Sequence, residues 1–278
     1  MELFSRFSSI LTFLSGAKRR IGFYNYQGEG LYRGRYLTHR VTYNVHMHMS
    51  QNFMALIESL SEDTIDEPLV KREIPPSSLD QRLWFSPDES LKIKIHERLK
   101  KGYPFWDPSV NKLFILNPSP GDLLPIRGWP LEYFGQLAQA LLDAGPHHLV
   151  VLLGLSKVRS DGDFIKKKVE SSRCINLIGQ TEDLKEMITL FSFGDALITS
   201  DGGPAHFASM TDIKVVVLFG PETPRLYAPL GSQVHVLYKA FSCSPCVNVL
   251  NHRKTPCSDN RCLKAISVEQ VVSVVLKE

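Results

Sequence analysis

The stretches TSDGGPAHFAS (Thr199–Ser209) and VVVLFGPETP (Val215–Pro224) decide how this chain folds. In each, the end of an apolar strand runs into a loop with glycine and proline. Glycine lets the backbone approach a ligand closely and adopt dihedral angles that other residues avoid. Proline fits the first turn of a helix, where its missing N–H costs nothing. Two neighbouring strands that end in such loops predict a ligand site at one edge of a sheet.

The same kind of apolar run recurs along the C-terminal part of the chain. These runs are short, rich in Val, Ile and Leu, and mostly not alternating, as expected for strands buried on both faces of a parallel sheet. Amphipathic stretches between them, such as Pro130–Gly145 and Thr181–Gly194, predict helices. Strand and helix in alternation predict an open, doubly wound α/β sheet. The predicted strands are Leu113–Asn117, Leu149–Gly154, Cys174–Gly179, Ala196–Ser200, Val215–Gly220 and Val234–Tyr238.

Residues 1–105 follow a less regular pattern. We predict a helix over Leu3–Leu14, a short strand over Ile21–Tyr24 and a helix over Met47–Leu60. The proline-rich segment that follows is typical of a crossing between domains. We therefore expect a partial N-terminal domain with a linker in residues 1–105 and a second domain in residues 106–278.

Composition excludes several classes of protein. A hydrophobic content of 43% and a charged content of 22% are ordinary for a soluble globular protein of 278 residues. A formal net charge of +3 is too small to indicate nucleic-acid binding by itself. The run Met1–Gly16 is interrupted by Arg6 and lacks the features of a signal peptide or a membrane span. We therefore expect a cytoplasmic protein.

The loop after Thr199 carries groups that suit a phosphorylated sugar. The N-terminus of the following helix offers free N–H groups and a partial positive charge, which favour phosphate. Asp201 would repel a phosphate, so we expect it to bind a sugar hydroxyl. His206 lies in the first helical turn and could donate a hydrogen bond to a phosphate oxygen. The alternative is that Asp201 only caps the helix and that His206 is a surface histidine.

The two opening stretches resemble the signature of glycosyltransferase family nine, the heptosyltransferases. That signature is Asp-Ser-Gly-Pro-x-His followed by Phe-Gly-Pro-Thr-Asp-Pro or a close variant. The upstream stretch NPSPGDLLPIRGWPLEYFGQLA is similar to a second signature of the family, with Arg127 at the position of a donor-phosphate lysine or arginine. Trp129 and Pro130 match that signature directly. The segments Arg6–Phe23 and Leu37–Leu56 resemble the acceptor-side domain of the family.

The resemblance implies a GT-B-like fold of two Rossmann-like domains, the first of them incomplete. It also implies inverting transfer of a sugar from a nucleotide-sugar donor, typically ADP-heptose, to a growing lipopolysaccharide core. The fixed charge of Arg127 can neutralise the leaving diphosphate, so transfer would require no cofactor. The residues that the resemblance assigns to donor binding are Arg127, Ser200, Asp201, Gly202, Gly203 and His206.

Two departures from the family pattern leave alternatives open. Gly202 stands where the family has serine. The family's Gly-rich first strand, with its Gly-Asp general base, does not precede Met1, so we expect the chain to enter its first domain midway. Asp63 and Asp80 are possible substitutes for that base. The alternatives are a catalytically silent sugar-nucleotide-binding protein and a sugar-nucleotide epimerase of the same architecture.

The segment from Gly16 to His48 contains six basic residues and one acidic residue. Such a run is often only a solvated face. With the family resemblance, it predicts a site for an anionic, lipid-linked glycan acceptor and peripheral contact with the membrane surface. Nucleic acid is less favoured, because the aromatic residues here form no RNA-binding motif. The predicted acceptor-binding residues are Arg20, Arg33, Arg40 and His48.

Four of the five cysteines lie close together near the C-terminus. Cys243 and Cys246 form a C-x2-C pair, and Cys257 and Cys262 follow after ten intervening residues. Two cysteine pairs at short range are typical of tetrahedral zinc, so we predict a possible structural zinc site. The alternative is a set of reduced thiols or a redox-labile pair.

Overall fold

The computed structural model describes residues 6–24, 36–63, 69–76, 83–121, 124–249 and 254–277. The chain divides into two compact units. The N-terminal unit comprises residues 1–78, 225–227 and 248–253, and the C-terminal unit comprises residues 79–224, 228–247 and 254–278.

The N-terminal unit begins with helix α1 (Arg6–Leu14). Strands β1 (Ile21–Tyr24) and β2 (His39–Thr42) pair in parallel, and helix α2 (Met49–Glu58) follows. A short 3-10 turn, Ser59–Ser61, extends α2. The predicted strand and both predicted helices are confirmed: the strand matches at both ends, α1 ends at Leu14 as predicted, and α2 is two residues shorter than predicted at each end. The predicted start of α1, Leu3, lies outside the described residues. The side chains that form the core of this unit are Phe23, Val41, Tyr43, Met49, Leu56 and Val249.

The C-terminal unit contains a six-stranded sheet in which all described pairings are parallel. Its strand order is β5-β4-β3-β6-β7-β8. All six strands predicted from the apolar runs are confirmed. In the strands other than β8, side chains buried on both faces leave no polar alternation in the sequence, whereas β8 is an edge strand with no buried residue. The strands are β3 (Lys112–Asn117), β4 (His148–Leu152), β5 (Cys174–Asn176), β6 (Ala196–Ser200), β7 (Lys214–Phe219) and β8 (Val234–Tyr238).

Helices alternate with these strands, and polar side chains fix where several of them begin. Asp88 and Asp183 accept hydrogen bonds from backbone N–H groups in the first turns of helices α3 (Glu89–Gly102) and α6 (Leu184–Phe191). The sequence pattern predicts Thr181 as the cap of α6, but the cap is Asp183, two residues later. The remaining described helices are α3 (Glu89–Gly102), α4 (Leu131–Asp143), α5 (Arg159–Val169), α6 (Leu184–Phe191), α7 (Gly203–Ala208), α8 (Pro224–Tyr227), α9 (Arg261–Lys264) and α10 (Val268–Leu276).

The order of the strands determines where a ligand can bind. From β3 the chain moves through β4 and β5 to one side of the sheet, and then returns through β6, β7 and β8 to the other side. The loops that follow β3 and β6 therefore leave the sheet in opposite directions. In open parallel sheets such a switch point opens a crevice at the carboxyl ends of the strands.

Candidate functional site

A cavity of about 290 Å³ lies at this switch point in the C-terminal unit. Its walls come from the segments that follow β3, β4 and β6, together with side chains from α6 and α7. Apolar groups predominate, with a few hydroxyl and amide groups among them. The lining residues are Asn117, Ser119, Pro120, Gly121, Leu153, Gly154, Leu155, Thr181, Met187, Thr199, Gly202, Gly203, Pro204 and Phe207.

The loop from Ser200 to Gly203 forms one edge of this cavity. The backbone N–H of Asp201 donates to the carbonyl of Leu218 (3.0 Å), which ties the end of β6 to β7. Gly202 has φ 174°, ordinary extended backbone, and a Cβ there would meet no atom closer than 3.8 Å. The expectation that Gly202 needs an unusual dihedral angle is therefore wrong. Both glycines line the cavity, so close approach to a ligand is the role that remains for them.

Arg127 lies at the end of a 3-10 turn, Pro125–Arg127, in the connection between β3 and α4. Its Nη1 atom is 3.2 Å from Oδ2 of Asp201 and 3.4 Å from Oε2 of Glu222. All three side chains are largely buried, with exposed fractions of 13%, 6% and 4%. These distances exceed the 2.7–2.9 Å typical of charge-assisted hydrogen bonds. The Nε atom of Arg127 is buried without a hydrogen-bond partner in the described structure.

Polar contacts from distant parts of the chain hold the Arg127 loop in place. The backbone N–H of Trp129 donates to Oγ of Ser200 (3.2 Å), and its indole Nε1 donates to the carbonyl of Ile266 (3.0 Å). Asn260 donates from Nδ2 to the carbonyls of Ile126 (3.0 Å) and Gly128 (2.6 Å). Ser200 is therefore an anchor for the loop, whereas sequence reasoning placed it against the donor.

The predicted donor-binding residues do not all come together. Arg127 and Asp201 form an ion pair, Ser200 holds the backbone beside Arg127, and Gly202 and Gly203 line the cavity. His206 is exposed on the six-residue helix α7. Of the six predicted residues, only Gly202 and Gly203 are among those that line the cavity.

Sequence reasoning missed Glu222 and Asn260 as parts of this site. Glu222 lies in the quoted loop after β7, so its charge was visible, but nothing in the sequence indicated that it would meet Arg127. Asn260 lies more than 130 positions from the two carbonyls that it binds, and no local pattern marks it.

The sequence model of glycosyltransferase family 9 (heptosyltransferase) matches residues 5–255. This chain belongs to glycosyltransferase family 9. Lipopolysaccharide heptosyltransferase 2 of Salmonella typhimurium is 32% identical over 116 residues, which cover 41% of this chain and 32% of that protein. Lipooligosaccharide heptosyltransferase 2 of Campylobacter jejuni (serotype O:6) is 25% identical over 201 residues, covering 68% of this chain and 61% of that relative. The chain thus aligns with less than two thirds of these curated relatives.

Solved structures of family 9 proteins show the same fold. The structure of the ADP-heptose heptosyltransferase II of Escherichia coli has a TM-score of 0.65 and 20% identity, and the match covers 98% of this chain and 72% of that one. A family 9 glycosyltransferase from Veillonella parvula has a TM-score of 0.64 and 20% identity, with 86% and 63% of the two chains covered. The predicted α/β fold of GT-B type is confirmed.

The side chains predicted to bind the acceptor of this family 9 chain make contacts within the N-terminal unit. Arg20 donates to the carbonyls of Tyr36 (2.7 Å) and Ala17 (2.6 Å). The guanidinium of Arg40 lies 5.2 Å from the ring centre of Tyr24. His48 accepts a hydrogen bond from the backbone N–H of Ser50 (3.2 Å) and so caps α2.

Two predicted positions, Arg33 and Asp80, lie outside the described residues, whereas Asp63 is described and exposed. A cavity of about 720 Å³ in the N-terminal unit is lined by residues 41–47, 51, 52, 55, 69–74 and 76. Arg20, Arg40 and His48 are not among its lining residues.

The structure does not support the predicted zinc site. Within the described ranges, no three His, Cys, Asp or Glu side chains are placed to hold a metal ion. Cys243 and Cys257 are exposed, whereas Cys262 is buried on α9. Burial raises the pKa of the Cys262 thiol, which disfavours the thiolate that zinc requires. Of the helices in the described residues, none combines the length and apolarity needed to cross a lipid bilayer.

Proposed function

We propose that this family 9 chain transfers a heptose-like sugar from a nucleoside-diphosphate sugar to a lipopolysaccharide-core or related glycan acceptor, with inversion at the anomeric carbon. The cavity at the switch point of the parallel sheet, beside the buried pair Arg127–Asp201, is the observation that carries this proposal. The E. coli structural neighbour is an ADP-heptose heptosyltransferase, which suggests ADP-heptose as the first donor to test.

The cavity offers separate places for the parts of such a donor. Leu153, Leu155, Met187 and Phe207 form an apolar wall that suits a nucleobase. On this proposal, the carboxylate of Asp201 accepts hydrogen bonds from hydroxyl groups of the transferred sugar. The diphosphate then lies toward Arg127, whose permanent charge and planar guanidinium suit phosphate oxygens.

In the proposed reaction, one bond forms at the anomeric carbon and one bond to that carbon breaks. The acceptor hydroxyl oxygen attacks the anomeric carbon from the face opposite the diphosphate, and a general base takes the hydroxyl proton. The bond between the anomeric carbon and the diphosphate oxygen breaks, and its electron pair leaves with the nucleoside diphosphate. The guanidinium of Arg127 stabilises the negative charge that develops on that leaving group.

The proposed acceptor is an anionic, lipid-linked glycan at a membrane surface. Support comes from the basic segment between Gly16 and His48, where Lys18 and Arg19 are exposed. Positive side chains attract phosphorylated glycans and anionic lipid head groups. Arg20 is engaged with two backbone carbonyls and Arg19 with the carbonyl of Leu60 (2.6 Å), so the exposed Lys18 is the better candidate for this contact.

Calorimetric titration of the purified chain with ADP-heptose, ADP-glucose, GDP-mannose and UDP-glucose tests the proposal. We expect one donor to bind selectively and to lose at least about tenfold in affinity in Arg127→Met and in Asp201→Asn. Arg173→Met is the matched control, because Arg173 binds carbonyls of Leu142, Gly145 and His148 near the start of β4. Absence of binding to all four donors, or equal losses in the control, would contradict the proposal.

A further inference from the structure

The side-chain amide of Asn260 binds both backbone carbonyls that flank Arg127. Its Nδ2 atom is 3.0 Å from the carbonyl oxygen of Ile126 and 2.6 Å from that of Gly128. Carbonyl oxygens only accept hydrogen bonds, so the chemistry requires the NH₂ group of the amide at this position. One nitrogen therefore satisfies two acceptors, one on each side of the arginine.

This arrangement controls the direction of the Arg127 side chain. The carbonyls of Ile126 and Gly128 lie on the peptide groups that precede Arg127 and follow Gly128. Fixing those two peptide groups restricts the backbone dihedral angles between them, and hence the direction in which Cβ of Arg127 leaves the chain. The ion pairs of Arg127 are long, at 3.2 and 3.4 Å, so they alone hold the guanidinium loosely.

We propose that Asn260 is a positioning residue for Arg127. This inference rests on the proposed function, in which Arg127 meets the donor diphosphate. It adds a residue that contacts neither the donor nor the acceptor. Asn260 stands immediately before α9, and its partner loop is also held by the bond from Trp129 to the carbonyl of Ile266. The segment from Asn260 to Ile266 thus holds the Arg127 loop at three carbonyl contacts.

The test compares Asn260→Ala with Asn111→Ala in the full chain. Asn111 is also a half-buried asparagine whose amide donates to a distant carbonyl, that of His147, but it precedes β3 at the opposite end of the sheet. We expect Asn260→Ala to weaken binding of ADP-heptose and of ADP about tenfold, the effect of one lost set of hydrogen bonds. Asn111→Ala should leave both affinities at the wild-type level even where it lowers Tm.

A double-variant comparison separates positioning from general destabilisation. In an Arg127→Met background, Asn260→Ala should cause no further loss of ADP affinity, because its effect passes through Arg127. Asn260→Asp should be at least as harmful as Asn260→Ala, since a carboxylate repels both carbonyl oxygens. Wild-type affinity in Asn260→Ala, or a loss that adds fully to that of Arg127→Met, would overturn the inference.

A ligand-free measurement keeps the inference distinct from the proposed function. The NMR signal of the Arg127 Nε–H group, assigned by its absence in Arg127→Lys, reports how rigidly the guanidinium is held. Faster hydrogen exchange of this group in Asn260→Ala than in Asn111→Ala supports the inference, and equal exchange overturns it. If the wild-type chain binds neither ADP-heptose nor ADP, the proposed function fails, and this comparison still decides the role of Asn260.

Discussion

Arg98 on α3 places its Nη1 atom 2.7 Å from Oε2 of Glu186 on α6, whose side chain is only 2% exposed. Burial raises the pKa of Glu186, but hydrogen bonds from Arg98, Lys94 and the backbone N–H of Glu182 outweigh burial and lower the pKa to about 2. A carboxyl whose pKa is lowered by folding stabilises the folded state above its unfolded pKa. That contribution is lost as pH falls from about 4.5 toward 2.

We therefore predict that Glu186→Gln flattens the acid limb of the stability curve. Between pH 4.5 and 2, wild type should lose more unfolding free energy than the variant, by on the order of 2–3 kcal/mol. Urea unfolding at stepped pH measures the difference. Glu97→Gln, at an exposed position on α3, should follow the wild-type curve. Parallel curves for Glu186→Gln and wild type would contradict the prediction.

Substitution should destabilise the protein at one glycine, Gly179, and leave its stability nearly unchanged at another, Gly202. Gly179 has φ 75°, and a Cβ there would lie 2.7 Å from Cα of Ser156. Gly179→Ala should therefore cost about 1–3 kcal/mol of unfolding free energy. Gly202→Ser should stay within about 0.5 kcal/mol of wild type, because the site is open and serine caps helices well. Equal losses in thermal unfolding of the two variants would refute this contrast.

A negative charge introduced at the rim of the cavity should weaken nucleotide binding without unfolding the chain. Leu155 lines the cavity and is 65% exposed, so Leu155→Glu adds a carboxylate at little cost in stability. We expect ADP affinity to fall about tenfold, because a charged carboxylate then replaces part of the apolar wall assigned to the nucleobase. Val110→Glu is the control, since Val110 is 51% exposed and lies before β3. Unchanged ADP binding in Leu155→Glu would place the nucleotide elsewhere.

Arg20 should prove important for the stability of the N-terminal unit. Its guanidinium satisfies two carbonyl oxygens, and it also lies 5.4 Å from the ring centre of Phe13. Arg20→Ala should lower the local free energy of opening by about 1–3 kcal/mol. Hydrogen exchange of the β1 and β2 amides in the full chain measures this loss. Lys18→Ala, at an exposed position, should leave the same amides as protected as in wild type.

The local pattern predicted the inner strands well because burial on both faces of the sheet requires an unbroken apolar run. The five residues from Val215 to Phe219 are all fully buried, and their unbroken apolar character is visible without any partner strand. The start of α6 was harder to predict from the sequence, since Thr181 and Asp183 are both good capping residues. Only the fold shows that the side chain of Asp183 reaches the N–H of Glu186.

The long-range partners of Arg127 could not be predicted from the sequence. Arg127 was identified as a cation for phosphate, but its two carboxylate neighbours, Asp201 and Glu222, lie 74 and 95 positions away. No periodicity relates residues so far apart. Gly202 shows a second limit of prediction from sequence. A glycine in a motif suggests an unusual backbone conformation, but the backbone of Gly202 is extended, a conformation that any residue can adopt.

The spacing of the cysteines predicted a zinc site that the structure does not support. Two pairs at short range fix the length of the intervening chain, but not the direction of each thiol. Cys257 directs its sulfur toward the carbonyl of Asp259 (3.2 Å), a local contact that sequence spacing cannot reveal.

The contact between Asn260 and the Arg127 loop also has a consequence for biosynthesis. A ribosome makes Ile126 and Gly128 more than 130 residues before it makes Asn260, and Trp129 waits 137 residues for Ile266. The strands near the loop can pair during translation, but the loop itself lacks these three hydrogen bonds until Asn260 and Ile266 have been made. A nascent chain arrested before Asn260 would therefore carry a formed sheet with a loosely held Arg127.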